Sequence, residues 1–283
     1  MAQPIGSPSR YIFVVISLYL VFYSAFLLWQ QWVLPAASED IQGIVSTPRQ
    51  CAQQLRKPIT THTDVLPQRI EVLSWNIYKA QHEQLLPDLR ALSQGVDFVL
   101  LQEAFRDQQL FAIKPYARFS PGFRGWSKQT GTLLLSDFQP QLYCRFYQRE
   151  PWLRTPKASS ISRYALAQGG SLLVVNLHGI NFTWGTEDYQ RQLKTLTLLI
   201  AQHSGPVIFA GDFNTWSHSR QQLVQQLLTP LQLAPVTLSP DQRTRFFGYA
   251  LDQVWTRGVK IKRAQALARE SSDHNPILVS LSL

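Results

Sequence analysis

Four short apolar runs in this chain close on a polar residue able to bind a cation or move a proton, and that pattern restricts the fold more than any other feature. Arg69 to Trp75 runs into Asn76, Val96 to Gln102 into Glu103, Ser171 to Leu177 into His178, and Pro206 to Ala210 into Gly211-Asp212-Phe213-Asn214. Two further apolar stretches open on the same kinds of residue: one follows Asp252, and Asn275 to Leu283 follows Ser272-Asp273-His274. Short continuous apolar runs are the mark of buried strands, and side chains at their ends emerge where a scaffold meets solvent. Oxygen ligands gathered there suit a hard divalent cation, and imidazoles suit acid–base work on a phosphoryl group.

Between these runs the pattern predicts a helix near Glu83 to Ser93, which Pro87 starts or bends, a short helix near Arg106, and strands over Gly131 to Ser136, Gln141 to Tyr147 and Ile161 to Ala167. A helix N-capped by Thr186 runs to about His203, a second covers Arg220 to Leu228, and strands over Leu251 to Thr256, Val259 to Leu267 and Pro276 to Leu283 finish the chain. Hairpin-like gaps mixed with long crossover helices point to two packed sheets covered by helices. In antiparallel neighbours the start of one strand lies beside the end of the next. Asp252 and Asp273-His274 therefore share an edge with Asn76, Glu103, His178 and Asp212.

The first sixty or so of the 283 residues differ from the rest. Tyr11 to Leu34 holds no charge and is long enough to cross a bilayer, with Tyr11, Trp29 and Trp32 where interfacial aromatics sit. The sequence thus predicts a tail over 1–10, a transmembrane anchor over 11–34, a linker over 35–64 and a catalytic domain over 65–283. The alternative is a cleaved secretory signal ending at Ala36-Ala37-Ser38, although its apolar stretch exceeds the usual length. Arg10 before the span, against Glu39 and Asp40 after it, favours an inner-membrane protein with a single span and its domain outside the cytosol.

A net charge of +9 suits an anionic partner, nucleic acid or phospholipid. Arg145, Arg149, Arg154, Lys157 and Arg163 form the densest basic cluster, in what reads as a loop. Nothing marks an obligate protein partner. Cys51, in the expected linker, and Cys144, in the domain, are too few to staple a fold; a disulfide between them requires a domain outside the cytosol, and they are expected to stay unbonded.

Taken in order, Trp75-Asn76, Gln102-Glu103, Asn176-Leu177-His178, Gly211-Asp212-Phe213-Asn214, Leu251-Asp252 and Ser272-Asp273-His274 resemble the endonuclease/exonuclease/phosphatase (deoxyribonuclease I-like) superfamily. Leu73 to Lys79, Ser204 to Asn214 and Ala268 to Pro276 are similar to its bacterial YafD-like branch. The resemblance implies a four-layered α-β-β-α sandwich with two mixed, largely antiparallel sheets, here preceded by the N-terminal transmembrane helix. It also implies cleavage of phosphate esters with Mg²⁺, or Mn²⁺ in its place.

Glu103 is then the expected metal ligand, assisted by Asn76 and Asp273. His274 is expected to act as general base or, protonated, to stabilise the transition state, with Asp252 orienting it. His178 is the expected acid or phosphate donor, Asp212 aligns the water, Asn214 bonds a non-bridging oxygen, and Asn181 reaches substrate. Ser120 to Ser136 contains no carboxylate to orient His178, and Tyr78 stands where abasic-site enzymes carry an Asp. A membrane-anchored Mg²⁺ phosphodiesterase is the function expected. Its alternative is a non-catalytic anchored module that binds nucleic acid or anionic lipid.

Overall fold

The computed structural model describes residues 15–25, 44–59, 64–124 and 129–283. In chain order these form helix α1 (15–25), β1 (Ile44–Val45), α2 (Pro48–Leu55), β2 (Val65–Leu66), β3 (Arg69–Asn76), α3 (Leu85–Leu92), β4 (Phe98–Phe105) and α4 (Gln108–Phe111). There follow β5 (Tyr116–Arg124), β6 (Gln129–Ser136), β7 (Leu142–Arg149), β8 (Pro156–Leu166), β9 (Ser171–His178), α5 (Glu187–Ile200), β10 (Val207–Asp212) and α6 (His218–Leu228). The chain ends with β11 (Ala234–Pro235), β12 (Arg245–Phe246), β13 (Tyr249–Ala250), β14 (Asp252–Arg257), β15 (Lys260–Ala266) and β16 (Ile277–Ser282).

One sheet has the order β1-β7-β8-β9-β10-β14-β11, with β2 beside β8, and the other β15-β16-β3-β4-β6-β5. Most neighbours are antiparallel, but β9 with β10, β3 with β4, β1 with β7 and β2 with β8 run parallel. The period-two alternation of a strand sends successive side chains to opposite faces. Ile70, Val72, Phe98, Leu100, Leu172, Val174, Ile208, Ala210 and Val254 meet between the sheets. Their sequence neighbours Leu173, Val175, Val207, Phe209 and Trp255 pack outward with Tyr189, Leu193, Val224 and Cys51 of α5, α6 and α2. Leu73, Trp75, Val99 and Leu101 pack outward with Leu85 and Leu89 of α3 and Leu110 of α4. The result is a four-layered sandwich of helix, sheet, sheet and helix. Each fully buried Leu or Phe in these layers contributes about 1.5–3 kcal/mol.

No helix among the described residues is long and apolar enough to cross a membrane; α1 is the described part of the expected span over 11–34, and the rest of that span, with the tail 1–10, lies outside the described residues. Several other expectations are corrected. The expected linker is not one throughout, because β1 pairs with β7 and α2 packs on the outer face of the first sheet. Thr47 caps α2 by accepting from the backbone N–H of Gln50, and Pro48 opens the helix, a local start signal overlooked in a polar stretch. Cys51 and Cys144 are disulfide-bonded. Thr186 precedes α5 without a side-chain cap. β5 was not foreseen, since Gly122 and Pro121 interrupt its pattern, and the supposed basic loop belongs largely to the β7–β8 hairpin.

The disulfide spans 93 positions of sequence, so it removes much loop entropy from the unfolded chain. Replacing both cysteines by Ser should lower the unfolding free energy by about 2–5 kcal/mol. Urea denaturation of the full chain with and without reductant checks this: the midpoint of the native protein should fall on reduction and that of the variant should not move.

Candidate active site

The alternation that builds the inter-sheet core also builds the site. On β9 the inward positions Leu172 and Val174 continue to Asn176 and His178; on β10, Ile208 and Ala210 continue to Asp212. β14 brings Asp252 in line with Asp212, and Asp212 lies opposite His178 on the other side. β3 delivers Asn76 by the same parity. Glu103 follows the inward Gln102 and would point outward on a regular strand. A register break in the β4–β6 pairing between Leu101 and Ala104, with φ 53° at Glu103, turns it back into the site.

Gly211 makes the close approach of β9 and β10 feasible. Its φ is 142°, and a Cβ at this position would lie 2.0 Å from the carbonyl oxygen of Leu177. Glycine alone allows both.

His274 and Asp252 form the tightest polar contact, Nδ1 to Oδ2 at 2.6 Å, and both are buried. Trp75 Nε1 donates to the His274 carbonyl at 2.8 Å, and Ser272 Oγ donates to the Asn76 carbonyl at 2.7 Å, which fixes the Ser272-Asp273-His274 turn against β3. Burial alone would hold the imidazole neutral, but Asp252 and Asp212 overrule it and raise its pKa to about 10. His274 is therefore an imidazolium at neutral pH.

Asp212 is held from several sides. Its Oδ2 accepts from Asn76 Nδ2 at 3.0 Å and from Asn214 Nδ2 at 3.1 Å, and its Oδ1 accepts from the Asn214 backbone N–H at 2.9 Å. Burial raises its pKa to about 6 in spite of His274 nearby. At pH 7 it is mostly ionised yet close enough to its pKa to take up a proton.

His178 and Glu103 meet two lysines that the sequence did not single out for the site. Lys157 Nζ donates to His178 Nε2 at 2.8 Å and lies 3.9 Å from Glu103 Oε1, while Lys79 Nζ lies 3.1 Å from Glu103 Oε2. Burial, and then the Lys157 charge, push the His178 pKa well below its usual value. This direction weighs against the acid role expected of His178: its Nε2 accepts from Lys157, and the ammonium carries the proton on that side. The carboxylates nearest to His178 Nε2, Asp212 at 3.6 Å and Glu103 at 3.7 Å, lie beyond hydrogen-bonding distance.

Asp273 stands at the mouth, its pKa raised by partial burial and, after the opposing effect of His274, by Glu103. Asn181 engages the fold through its backbone: its N–H donates to Glu150 Oε1 at 2.8 Å and its carbonyl accepts from Arg220. Arg220 was also missed as a support. It is buried between the rings of Tyr189 and Trp216 and donates to the carbonyls of Ile180 and Asn214. A basic residue inside a helical pattern gives no sequence signal of such a role.

Oxygen donors of Glu103, Asn76 and Asp273 fit a hard cation such as Mg²⁺. Glu103 Oε2 is buried without a hydrogen-bond donor, since Lys79 offers charge but not alignment, which is the state of an oxygen suited to a cation. Ligand atoms of Asp212, Asp252 and His274 also lie within 4.8 Å of one another. The 2.6 Å bond between His274 and Asp252 marks that trio as an acid–base unit more than a cage.

The model of the Endonuclease/Exonuclease/phosphatase family matches residues 73–274. The chain is 42% identical over 220 residues to a UPF0294 protein of Vibrio vulnificus, covering 76% of this chain and 78% of that one. A UPF0294 protein of Vibrio cholerae is 37% identical over 270 residues, covering 93% and 92%. Among solved structures, the human Nocturnin catalytic domain with bound sulfate superposes with a TM-score of 0.60 at 18% identity, covering 77% of this chain and 96% of that one. The mannosyl-6-phosphatase of Bacteroides thetaiotaomicron gives 0.56 at 17%, covering 76% and 100%. At such identities these two attest the fold.

Asp252 is the strongest of the groups that raise the His274 pKa. Asp252→Asn should move the His274 titration to lower pH, followed by the imidazole carbon–proton signals in NMR. A midpoint that stays near 10 would remove Asp252 from this role.

Proposed function

The chain belongs to the endonuclease/exonuclease/phosphatase family, whose members are hydrolases of phosphate esters, and from that premise we propose a membrane-anchored, Mg²⁺-dependent phosphodiesterase with its domain outside the cytosol. The observation that carries this reading is the His274–Asp252 pair at 2.6 Å beside a buried, ionisable Asp212. Asp212, held by Asn76 and Asn214, aligns the attacking water and takes its proton. His274, kept protonated by Asp252, donates from its other ring nitrogen to a phosphoryl oxygen as negative charge builds there. Lys157, with His178 behind it, supplies a proton toward the leaving oxygen from the other side. Asn181 lies on the loop beyond His178, where a bound substrate would extend. Glu103 with Asn76 and Asp273 would hold Mg²⁺, or Mn²⁺, which when bound neutralises charge on the phosphoryl oxygens.

Disulfides persist in oxidising compartments, so the Cys51–Cys144 bond supports a domain on the outer side of the inner membrane, in agreement with the Arg10 flank. Nucleic acid and phospholipid are both phosphodiesters that a basic domain attracts.

The test is hydrolysis by the purified full chain of bis(p-nitrophenyl) phosphate, plasmid DNA and phospholipid vesicles, with and without Mg²⁺. His274→Ala should lower turnover by about 10²–10⁴ with an unchanged circular dichroism spectrum, the range typical of a lost acid–base group. Glu103→Gln should remove the response to Mg²⁺. Full activity in both variants would sink the proposal.

The pH profile of kcat/KM supplies a separate check. Activity should fall below about 6, where Asp212 becomes protonated and stops accepting, and above about 10, where His274 loses the proton it donates. A profile limited by neither group would reassign the base and the donor.

A further inference from the structure

Four exposed aromatic rings stand in two pairs on the site edge of the first sheet. Trp152 and Trp184 meet edge to face with 4.4 Å between centroids, and Phe246 and Phe247 do so at 4.5 Å. Trp152 lies in the turn from β7 to β8, Trp184 in the loop after β9, and the two Phe residues in the hairpin before β14. In the strand order β7-β8-β9-β10-β14, the pairs therefore bracket His178, Asp212 and Asp252. Trp184 and Phe247 are 80% and 81% exposed, and Leu153 and Phe182 are exposed beside the tryptophans. Soluble surfaces rarely gather apolar side chains this way without a partner.

The segments that present these rings are well held. Glu150, buried, accepts from the backbone N–H groups of Asn181 and Phe182 at 2.8 and 3.3 Å, joining the two tryptophan loops. The Phe hairpin is tied to the site by Thr244 Oγ1, which donates to the Asp273 carbonyl at 2.9 Å, and by Arg243, which donates to the Asp252 carbonyl at 3.1 Å. Phe247, at φ 48°, precedes Gly248 at 83°, so they fill the two central positions of a tight hairpin turn where Asn-Gly is the ordinary choice. A bulky ring at positive φ costs energy, and one left in solvent gains nothing from the fold in return.

The corrected N-terminal boundary limits how far this edge can stray from a membrane. Nine residues, 35–43, separate the apolar stretch 11–34 from β1, and fully extended they reach roughly 30 Å. Ile44 is in register with Tyr143, six positions before Arg149 at the site edge, a distance of roughly 20 Å along the strand. The tether is long enough for the site edge to lie on the bilayer and too short for the domain to leave it.

We propose that the two aromatic pairs dock the site edge onto an anionic phospholipid bilayer, which makes the site's substrate a phosphodiester presented at that surface. This rests on the membrane-anchored reading above. Trp at an interface places an apolar ring among acyl chains and its N–H among headgroups, and the exposed Arg154 beside the tryptophan pair offers a cation to phosphate. Base stacking fits less well. The rings in each pair are tilted by 61° and 63° against one another, and Leu153 offers no π face.

The two native cysteines are bonded to each other, so a single introduced thiol takes a fluorophore alone. Full chains with Trp184→Cys, Phe247→Cys or Gln94→Cys, the last at the opposite end of β4, are labelled with NBD and reconstituted into phosphatidylethanolamine–phosphatidylglycerol vesicles containing doxyl lipid. The expected result is several-fold stronger quenching at 184 and 247 than at 94. Carbonate washing tests the anchor separately. A chain that washes off overturns the anchored reading and the docking with it. One that stays while all three labels are quenched alike overturns docking alone. Labels at 184 and 247 that ignore the lipid but respond to added oligothymidylate would replace the bilayer with single-stranded nucleic acid and overturn the proposal.

Discussion

A hydrogen bond between Gln102 Nε2 on β4 and Asn176 Oδ1 on β9, 2.7 Å long and fully buried, ties the two sheets together directly beneath the site. Asn176 Nδ2 extends the link to the carbonyls of Leu101 and Leu133 on the opposing sheet. Unpaired polar groups in an apolar layer are costly, so the bonds that these amides make favour the sheet spacing that forms them, although Gln102 Oε1 itself has no partner. The spacing matters because the site is drawn from both sheets. His178, Asp212 and Asp252 come from the first; Asn76, Glu103 and the turn carrying Asp273 and His274 come from the second. The His274–Asp252 and Asn76–Asp212 bonds both cross this gap. Deleting the amide link would disturb the relation between the half-sites before it disturbed either sheet.

Electrostatics within this frame divide the labour among similar groups. The two imidazoles are both buried, yet His274 faces three aspartates and holds its proton, whereas His178 faces Lys157 and Lys79 and loses it. Neighbouring charge decides between them, since desolvation acts on both in the same sense. Asp212 lies between the two, raised by burial and drawn back by the His274 imidazolium. Separated pKa values of this kind let one small cavity hold an acid and a base at the same pH.

Much of this was legible in the sequence, and for one reason. Parity along a buried strand is a local property, so Asn76, His178, Asp212 and Asp252 could be placed at one edge from their spacing to the apolar runs alone. Glu103 was identified as a site residue, but the bulge that aims it was not, because a register break depends on the partner strand. Lys157 was seen only as one of a basic cluster, since its partner His178 lies 21 positions away across a hairpin. The disulfide, and with it the N-terminal boundary, stayed hidden because proximity of Cys51 and Cys144 is set by β1 and α2, whose few apolar residues look like linker.

Backbone strain follows the same geography. Among the described non-glycine residues with positive φ, Tyr78, Lys79, Ala80, Glu103 and Asn214 border the site, and Arg154 and Phe247 lie on the aromatic rim; Gln232 stands apart. Each such conformation costs on the order of 1–3 kcal/mol. The run at 78–80 turns Lys79 back toward Glu103, and φ 51° at Asn214 lets its side chain and backbone N–H both reach Asp212. Regular strand geometry would have sent these side chains to solvent or to the wrong face. A large sandwich can sustain that cost, because it buries three apolar clusters, one between the sheets and one beneath the helices on each side. Gln232 excepted, the strained residues thus mark where the chain gives up local stability to hold charges at distances that relaxed backbone would not hold, and their concentration at one edge separates the part of the sequence that folds from the part that acts.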